Sequence, residues 1–284
     1  MRPHPSRSPN SVRTRTSPRT PIRRGRERVG ADTLRVSTPR DWDAATYDRV
    51  ADPQARWGRV VLDRLPLNGD ETVLDAGCGS GRVTELLAER LPRGRVVALD
   101  ASPSMVDEAR RRLARFEDRV EYVVADLARP FAVPGGTVDA ILSTATFHWI
   151  PDHDALFRNL AAVLRPGGRL VAQCGGAGNI ASVMAVLATV GDGWLGDKLF
   201  ATPEETAERL RRAGFVDVRT WLHEEPTRFE PGEPFATFLR TVILGSHLER
   251  LPADERDAFV HEVASRLPEP VVDYVRLNIV ARRA

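Results

Sequence analysis

The chain has only two cysteines, Cys78 and Cys174, in 284 residues, too few for a disulfide framework or a thiolate metal cluster. Lysine is scarcer still. Lys198 is the sole lysine among 41 basic residues, a bias that, with 21 Gly and 21 Pro, points to a GC-rich coding genome rather than to a chemical need. No apolar run approaches the ~20 residues that a bilayer-spanning helix requires, and no secretory apolar segment follows Met1. The six histidines show no metal spacing; His148 and His153 sit five apart across an expected helix start. No internal repeat is visible. These absences exclude a disulfide scaffold and a helical membrane protein, and leave a cytoplasmic chain without a metal as the expectation.

What is present begins with uneven charge. Residues 1–40 hold 11 Arg against 2 acidic residues, net +9, while the remainder holds 30 basic against 37 acidic residues, net −7. The first 40 residues are Arg, Pro, Ser and Thr with few apolar side chains, so a disordered basic tail is expected there. A transit peptide would be Arg- and Ser-rich too but would show an apolar helical face, and a nucleic-acid arm is the remaining alternative. The mildly acidic remainder speaks against a nucleic-acid-binding face and for a small-molecule partner. Composition changes at Asp41, which marks the expected start of one domain over residues 41–284. At 42% apolar residues it has enough to build a core.

Within that domain, Trp42 to Leu65 reads as one or two helices, anchored by Tyr47, Val50, Trp57, Val60, Val61 and Leu65. Strands are then expected at Thr72–Ala76, Arg95–Asp100, Val120–Ala125, Val138–Ser143, Arg169–Gln173 and Val216–Leu222, with Val271–Val280 last. Helices alternate with them. Ser102-Pro103 reads as an N-cap with Pro at the first helical position, Asp152 as another cap, and Thr202-Pro203-Glu204-Glu205 as a capping box. Pro166-Gly167-Gly168 stops the helix before strand five. Such alternation implies an α/β doubly wound parallel sheet with its core over residues 70–175. Two further helices, about Pro234–Leu251 and Asp254–Leu267, form a helical insertion over about 230–268.

The segment Val73-Leu74-Asp75-Ala76-Gly77-Cys78-Gly79-Ser80-Gly81 falls where an open α/β sheet binds ligands, beyond the carboxyl end of its first strand. Glycines there let the backbone approach a bulky ligand. Asp75 supplies a carboxylate near a cationic portion of that ligand, and Asp100, at the end of strand two, is placed to accept from both hydroxyls of a ribose. A Gly-rich turn alone also fits an ordinary β-α connection. Here Asp100, Ala125-Asp126-Leu127 and Phe147-His148-Trp149 all follow strand ends on the same sheet edge, so together they line one crevice.

The D-x-G-x-G-x-G spacing differs from the G-x-G-x-x-G of dinucleotide folds and resembles motif I of class I S-adenosylmethionine-dependent methyltransferases. The resemblance covers about residues 42–175 and continues more loosely to the C-terminus. It implies a Rossmann-like, seven-stranded, mostly parallel sheet with an antiparallel last strand, and S-adenosyl-L-methionine as cofactor. It further implies that Asp75, Gly77, Gly79 and Gly81 hold the methionine moiety and Asp100 the ribose. Met105 would pack on the adenine, Asp126 and Leu127 would meet its amino edge, and Thr144 and His148 would line the sulfonium end. More narrowly, Asp41-Trp42 and Tyr47, taken with Phe147-His148-Trp149-Ile150-Pro151-Asp152-His153, resemble the trans-aconitate methyltransferase subgroup. In that family the N-terminal helix commonly covers the cleft, which makes Trp42 and Tyr47 lid candidates and Tyr47 a candidate substrate contact.

A carboxylate acceptor needs no general base, whereas an alcohol, amine or carbon acceptor more often does. His148 is the candidate base, with a packed loop residue as the alternative. Trp149 reads as cofactor or loop packing, with substrate contact as the alternative. Gln54, Arg56 and Trp57 are candidates for cofactor or acceptor contact, Arg56 having a solvated helix face as its alternative. Arg240 and His247, seven apart, fall near one helix face and would be counter-charges for an anionic acceptor, or ordinary surface charge. Cys78 and Cys174 read as space-fillers. The expected activity is methyl transfer to a small molecule such as a polycarboxylic acid, by a monomer or homodimer. Methylation of an apolar quinone or polyketide is an alternative on account of Phe235, Phe238, Leu239, Val242, Ile243 and Leu244. A non-catalytic cofactor-binding regulator is another.

Overall fold

The computed structural model of the chain describes residues 52–284, with the side chains of the first helix described from Arg56 onward. The expected basic tail, the domain start at Asp41, and the lid candidates Trp42 and Tyr47 lie outside the described residues, as does the side chain of Gln54.

Helix α1 (Asp52–Leu62) leads into β1 (Thr72–Ala76), α2 (Arg82–Arg90), β2 (Arg95–Asp100), α3 (Pro103–Arg112), β3 (Val120–Val124), β4 (Val138–Thr144), α4 (His153–Val163) and β5 (Leu164–Gly175). Then come α5 (Ala181–Leu187), α6 (Pro203–Arg212), β6 (Phe215–Glu224), β7 (Thr227–Arg228), α7 (Glu233–Phe238), α8 (Gly245–Glu249), α9 (Arg256–Arg266), β8 (Val271–Val272) and β9 (Val275–Arg283). The helix starts use the expected caps. Ser102 Oγ accepts from Met105 N–H, Asp152 Oδ1 from Ala155 N–H, and Thr202 and Glu205 close a reciprocal box, each satisfying an amide that the first helical turn leaves open.

The main sheet has the order β3-β2-β1-β4-β5-β9-β6. The strands pair in parallel except β9, which runs antiparallel to both β5 and β6. Strand order reverses between β1 and β4, and this switch point opens the crevice at the carboxyl edge. Val73–Ala76 and Val96–Leu99 are buried without interruption, as central parallel strands covered on both faces must be. Side chains alternate between two cores. Leu74, Leu99 and Ile141 face α4 and α6, while Val73, Ala98 and Leu142 face α1, α2 and α3.

Three details differ from the sequence expectation. Pro166-Gly167-Gly168 lies within β5 as an irregularity, Val138 pairing with Leu164 but Ala140 with Arg169. The last strand is split at Asp273-Tyr274, and Val271–Val272 pairs with β7 in a separate ribbon. The first insertion helix is also broken, because a π-helical turn over Leu239–Ile243 separates α7 from α8. On α1, Val60 is exposed, whereas Trp57, Val61 and Leu62 are buried, as is Leu65 just beyond it. The insertion helices have a core of their own, which α5, Trp57 and Tyr274 join. Among the described residues no helix is long and apolar enough to cross a membrane.

Candidate active site

The loop after β1 is tied down before it turns. Gly77 N–H and Cys78 N–H both donate to Leu99 O, at 2.8 and 2.9 Å, which fastens the loop to the end of β2. Gly77 has φ +85°, and a Cβ there would lie 2.2 Å from Thr146 Oγ1; that hydroxyl bonds Gly77 O at 3.2 Å. The position therefore requires glycine for both backbone and space. Gly79 has φ +53°, but a Cβ on it would meet nothing within 4 Å. It faces the open crevice. Gly81 caps α2 and abuts Ala109 of α3, so it closes the packing beneath the loop.

Three carboxylates stand around this turn. Asp75 is fully buried and accepts from Thr84 Oγ1 at 2.7 Å, while its Oδ1 has no hydrogen-bond partner. Burial, then the nearby Asp100 charge, raises its pKa from 3.8 to about 7. A buried carboxylate with an unsatisfied oxygen is complementary to a cationic group. Asp100, at the end of β2, accepts from Gly79 N–H (2.9 Å) and Ser102 N–H (3.0 Å), which fixes the plane of its carboxylate at the crevice. Asp126 accepts from Ala128 N–H at 2.9 Å and lies 3.8 Å from Arg129 Nε. Met105, in the first turn of α3, and Leu127, beside Asp126, are both buried. An open glycine, an orphaned buried carboxylate oxygen and a backbone-held acid fit the cationic amino acid and ribose portions of S-adenosylmethionine.

On the other side of the switch point, Thr144 ends β4, opposite Gln173 of β5. The chain then turns through a 3₁₀ segment, Phe147–Trp149. His148 is buried, and its Nδ1 accepts from Gly175 N–H at 3.3 Å. Its ring stacks with Phe200, centroids 5.9 Å apart. Burial, followed by the charges of Arg276, Lys198 and His153, holds its pKa well below 6.5. The ring is therefore neutral, and with Nδ1 accepting, its proton sits on Nε2. At its second nitrogen His148 is a hydrogen-bond donor rather than a base. Trp149 is half-buried and lies under Lys198 Nζ (4.5 Å from the ring centroid), which donates to Ile243 O at 2.8 Å.

Arg240 and His247 do not form the expected counter-charge pair. The π-helical turn between them breaks the helical phase. Arg240 pairs with Asp257 (2.9 Å) and Glu233 (3.5 Å) on the insertion's surface. His247 is buried, donates from Nε2 to Trp194 O at 3.0 Å, and is kept neutral chiefly by burial. Phe235, Phe238, Leu239, Val242, Ile243 and Leu244 are likewise buried in the insertion's own core, so they are not an apolar lining. Arg56 is exposed and pairs with Glu225. Cys78 and Cys174 are free and buried, and burial raises both thiol pKa values, that of Cys174 to about 12. Both are inert packing residues. Among the described residues no cluster of His, Cys, Asp or Glu could hold a metal ion.

Sequence reasoning missed Thr146, Gln173, Arg276 and Asn278. The last three carried a signal: each is a polar residue inside a strand that otherwise reads as buried.

Residues 73–168 match the family described as "Methyltransferase domain". A trans-aconitate 2-methyltransferase of Azoarcus sp. (strain BH72) is 44% identical over 132 residues, 46% of this chain and 50% of that one. Against this relative, and against one of Paracidovorax citrulli, the chain spans half of the relative's length. The trans-aconitate 2-methyltransferase of Variovorax paradoxus is 32% identical over 247 residues, 81% of this chain and 90% of that one. Among solved structures, a phosphoethanolamine N-methyltransferase of Haemonchus contortus shares the fold with a TM-score of 0.58 at 20% identity, covering 84% of this chain and 56% of that one. The chain belongs to the trans-aconitate 2-methyltransferase family of S-adenosylmethionine-dependent methyltransferases.

Proposed function

We propose that the protein methylates a carboxylate of a small polycarboxylic acid, trans-aconitate being the acceptor that its relatives' names indicate. The observation that carries this reading is the state of His148. Its Nδ1 is engaged by Gly175 N–H, so His148 offers no base there, which suits an acceptor that arrives already ionised. A carboxylate does so at neutral pH.

S-adenosylmethionine, when bound, supplies a methyl group on a sulfonium sulfur; the carboxylate oxygen bonds to the methyl carbon as the carbon–sulfur bond breaks towards sulfur, giving a methyl ester and S-adenosylhomocysteine. The protein's part is to position and to exclude water. In this reading Gly77, Gly79 and Gly81 shape the seat for the methionine moiety, and Asp75 compensates its ammonium. Asp100 grips the ribose hydroxyls. Met105 packs on the adenine, while Asp126 and Leu127 border its amino edge. Thr144 and the Nε2–H of His148 flank the sulfonium end, and Trp149, stiffened by Lys198, walls the acceptor side. Tyr47 is assigned to the lid by family resemblance alone. Two free thiols suit a reducing cytoplasm.

The test is incubation with S-adenosylmethionine and a panel of mono-, di- and tricarboxylic acids, followed by mass spectrometry. Methyl ester and S-adenosylhomocysteine should form in equal amounts with trans-aconitate, and Asp100→Ala should weaken cofactor binding at least tenfold. Turnover of phenols or quinones with none of any acid would overturn the reading. A regulator would bind the cofactor and release no product with any acceptor.

A further inference from the structure

Residues 188–202, between α5 and α6, form a long connection without regular structure, of a length that compact domains rarely leave idle. Both of its ends are held. At the far end, Leu199 N–H donates to His148 O at 2.9 Å, and the Phe200 ring stacks on that of His148. Lys198 Nζ lies over the Trp149 ring and donates to Ile243 O. Leu199 packs against the core that faces α4 and α6, whereas Phe200 packs against the core of the insertion. Lys198, Leu199 and Phe200 together frame the turn that carries His148 and Trp149.

At the near end the contacts come from α8. His247 Nε2–H donates to Trp194 O at 3.0 Å, and the two rings lie 4.7 Å apart. Arg250, just beyond α8, stands over the Trp194 ring at 4.2 Å and pairs with Asp192 at 2.7 Å. Asp192 in turn accepts from Trp194 N–H at 3.1 Å. The pair of Arg250 with Asp192 is exposed and worth little by itself. His247 is 5% exposed, so its hydrogen bond is the firm anchor, with the stacked guanidinium as support.

We propose that His247 is a positioning residue for methyl transfer: its grip on the Trp194 carbonyl sets the path of residues 195–200, and these set the His148–Trp149 turn. The inference rests on the reading above, in which that turn borders the acceptor. Only Leu195-Gly196-Asp197 separate Trp194 from Lys198. A segment without regular structure keeps its shape through such contacts, so slack at Trp194 passes on to Lys198 and Leu199. The glycine loop is fastened elsewhere, to Leu99 O and to Thr146. Release of the connection should therefore fall on the acceptor and spare the cofactor, whereas a histidine that only satisfied a carbonyl would affect stability alone.

Nuclear magnetic resonance of the Trp149 indole N–H, assigned by its loss in W149F, tests this on the full chain without any acceptor, and kinetics with trans-aconitate test the consequence. H247L keeps an apolar side chain but removes the donor. It should shift the Trp149 signal and raise the KM for trans-aconitate about tenfold, with the Kd for S-adenosylmethionine within twofold. H247Q, whose amide can donate in place of Nε2, should bring both close to the wild type's values. K198M should also raise the KM about tenfold, and H247L with K198M should lose about tenfold rather than the roughly hundredfold of independent sites. A Trp149 signal or a KM that H247L leaves unchanged, an equal loss of cofactor affinity, or losses that multiply would overturn the role. If H247L does not fold, R250M takes its place: a smaller shift of the Trp149 signal upholds the role, and none overturns it. If the wild type methylates no acid, the functional reading fails by itself, and the Trp149 signal in H247L and H247Q decides the positioning.

Discussion

Asp75 shows how one buried residue sets a pH response. Burial without a partner for Oδ1 raises its pKa from 3.8 to about 7. In the cofactor-free fold it therefore holds a proton between about pH 4 and pH 7 that the unfolded chain has released. The contribution to stability is full below about pH 4 and is lost as pH rises to about 7, on the order of a few kcal/mol. Cofactor binding has the opposite sign, because a cationic ligand favours the ionised carboxylate. The Kd for S-adenosylmethionine should weaken as pH falls through about 7, approaching tenfold per unit. Asp75→Asn should flatten that profile and hold the Kd near the wild type's low-pH value. Titration calorimetry from pH 5.5 to 8.5 reads both. A flat wild-type profile would remove Asp75 from the cofactor's charge balance.

At the scale of elements, the loop after β1 and the loop after β4 are locked through one contact, Gly77 against Thr146. Gly77→Ala would force a Cβ into the Thr146 side chain and strain a left-handed backbone. We expect it to cost about 2 kcal/mol of stability and to weaken cofactor binding at least tenfold; denaturant unfolding and fluorescence titration measure the two. The glycine was legible in the sequence through its spacing, but Thr146 was not. It lies two residues beyond the end of β4, after Ala145 at φ +56°, and a turn of that shape leaves no periodic mark. Strands and caps were legible because each depends on a few adjacent residues, Ser102, Asp152 and Thr202 among them. Arg240 and His247 misled for the complementary reason. Their spacing of seven presumes an unbroken helix, and the π-helical turn at Leu239–Ile243 depends on tertiary packing. Arg276 was overlooked because a cation near a C-terminus is ordinary until its burial is known.

At the scale of the whole molecule, three hydrophobic clusters divide the work. Two sandwich the sheet and support the loops after β1, β2 and β3. The third joins α5, α7, α8 and α9 to Trp57 and Tyr274 and, through Lys198 on Ile243 O, supports Trp149 but not the glycine loop. Damage to one cluster should therefore separate cofactor binding from acceptor binding. Phe238 is 1% exposed and packs on Phe229, ring centroids 4.1 Å apart, wholly within the third cluster. Phe238→Ala removes a large side chain from it and should cost about 3–5 kcal/mol locally. Leu74 is fully buried in the sheet beneath the crevice, and Leu74→Ala should cost about 2–5 kcal/mol. The two losses differ in what they disturb. Phe238→Ala should raise the acceptor KM at least tenfold while the Kd for S-adenosylmethionine stays within twofold. Leu74→Ala should weaken the cofactor and lower kcat with it, because the strand it anchors carries Asp75. Scanning calorimetry with and without S-adenosylmethionine checks the same division. The cofactor should raise the melting temperature of Phe238→Ala as much as that of the wild type, and equal loss of both ligands in Phe238→Ala would mean that the clusters act as one.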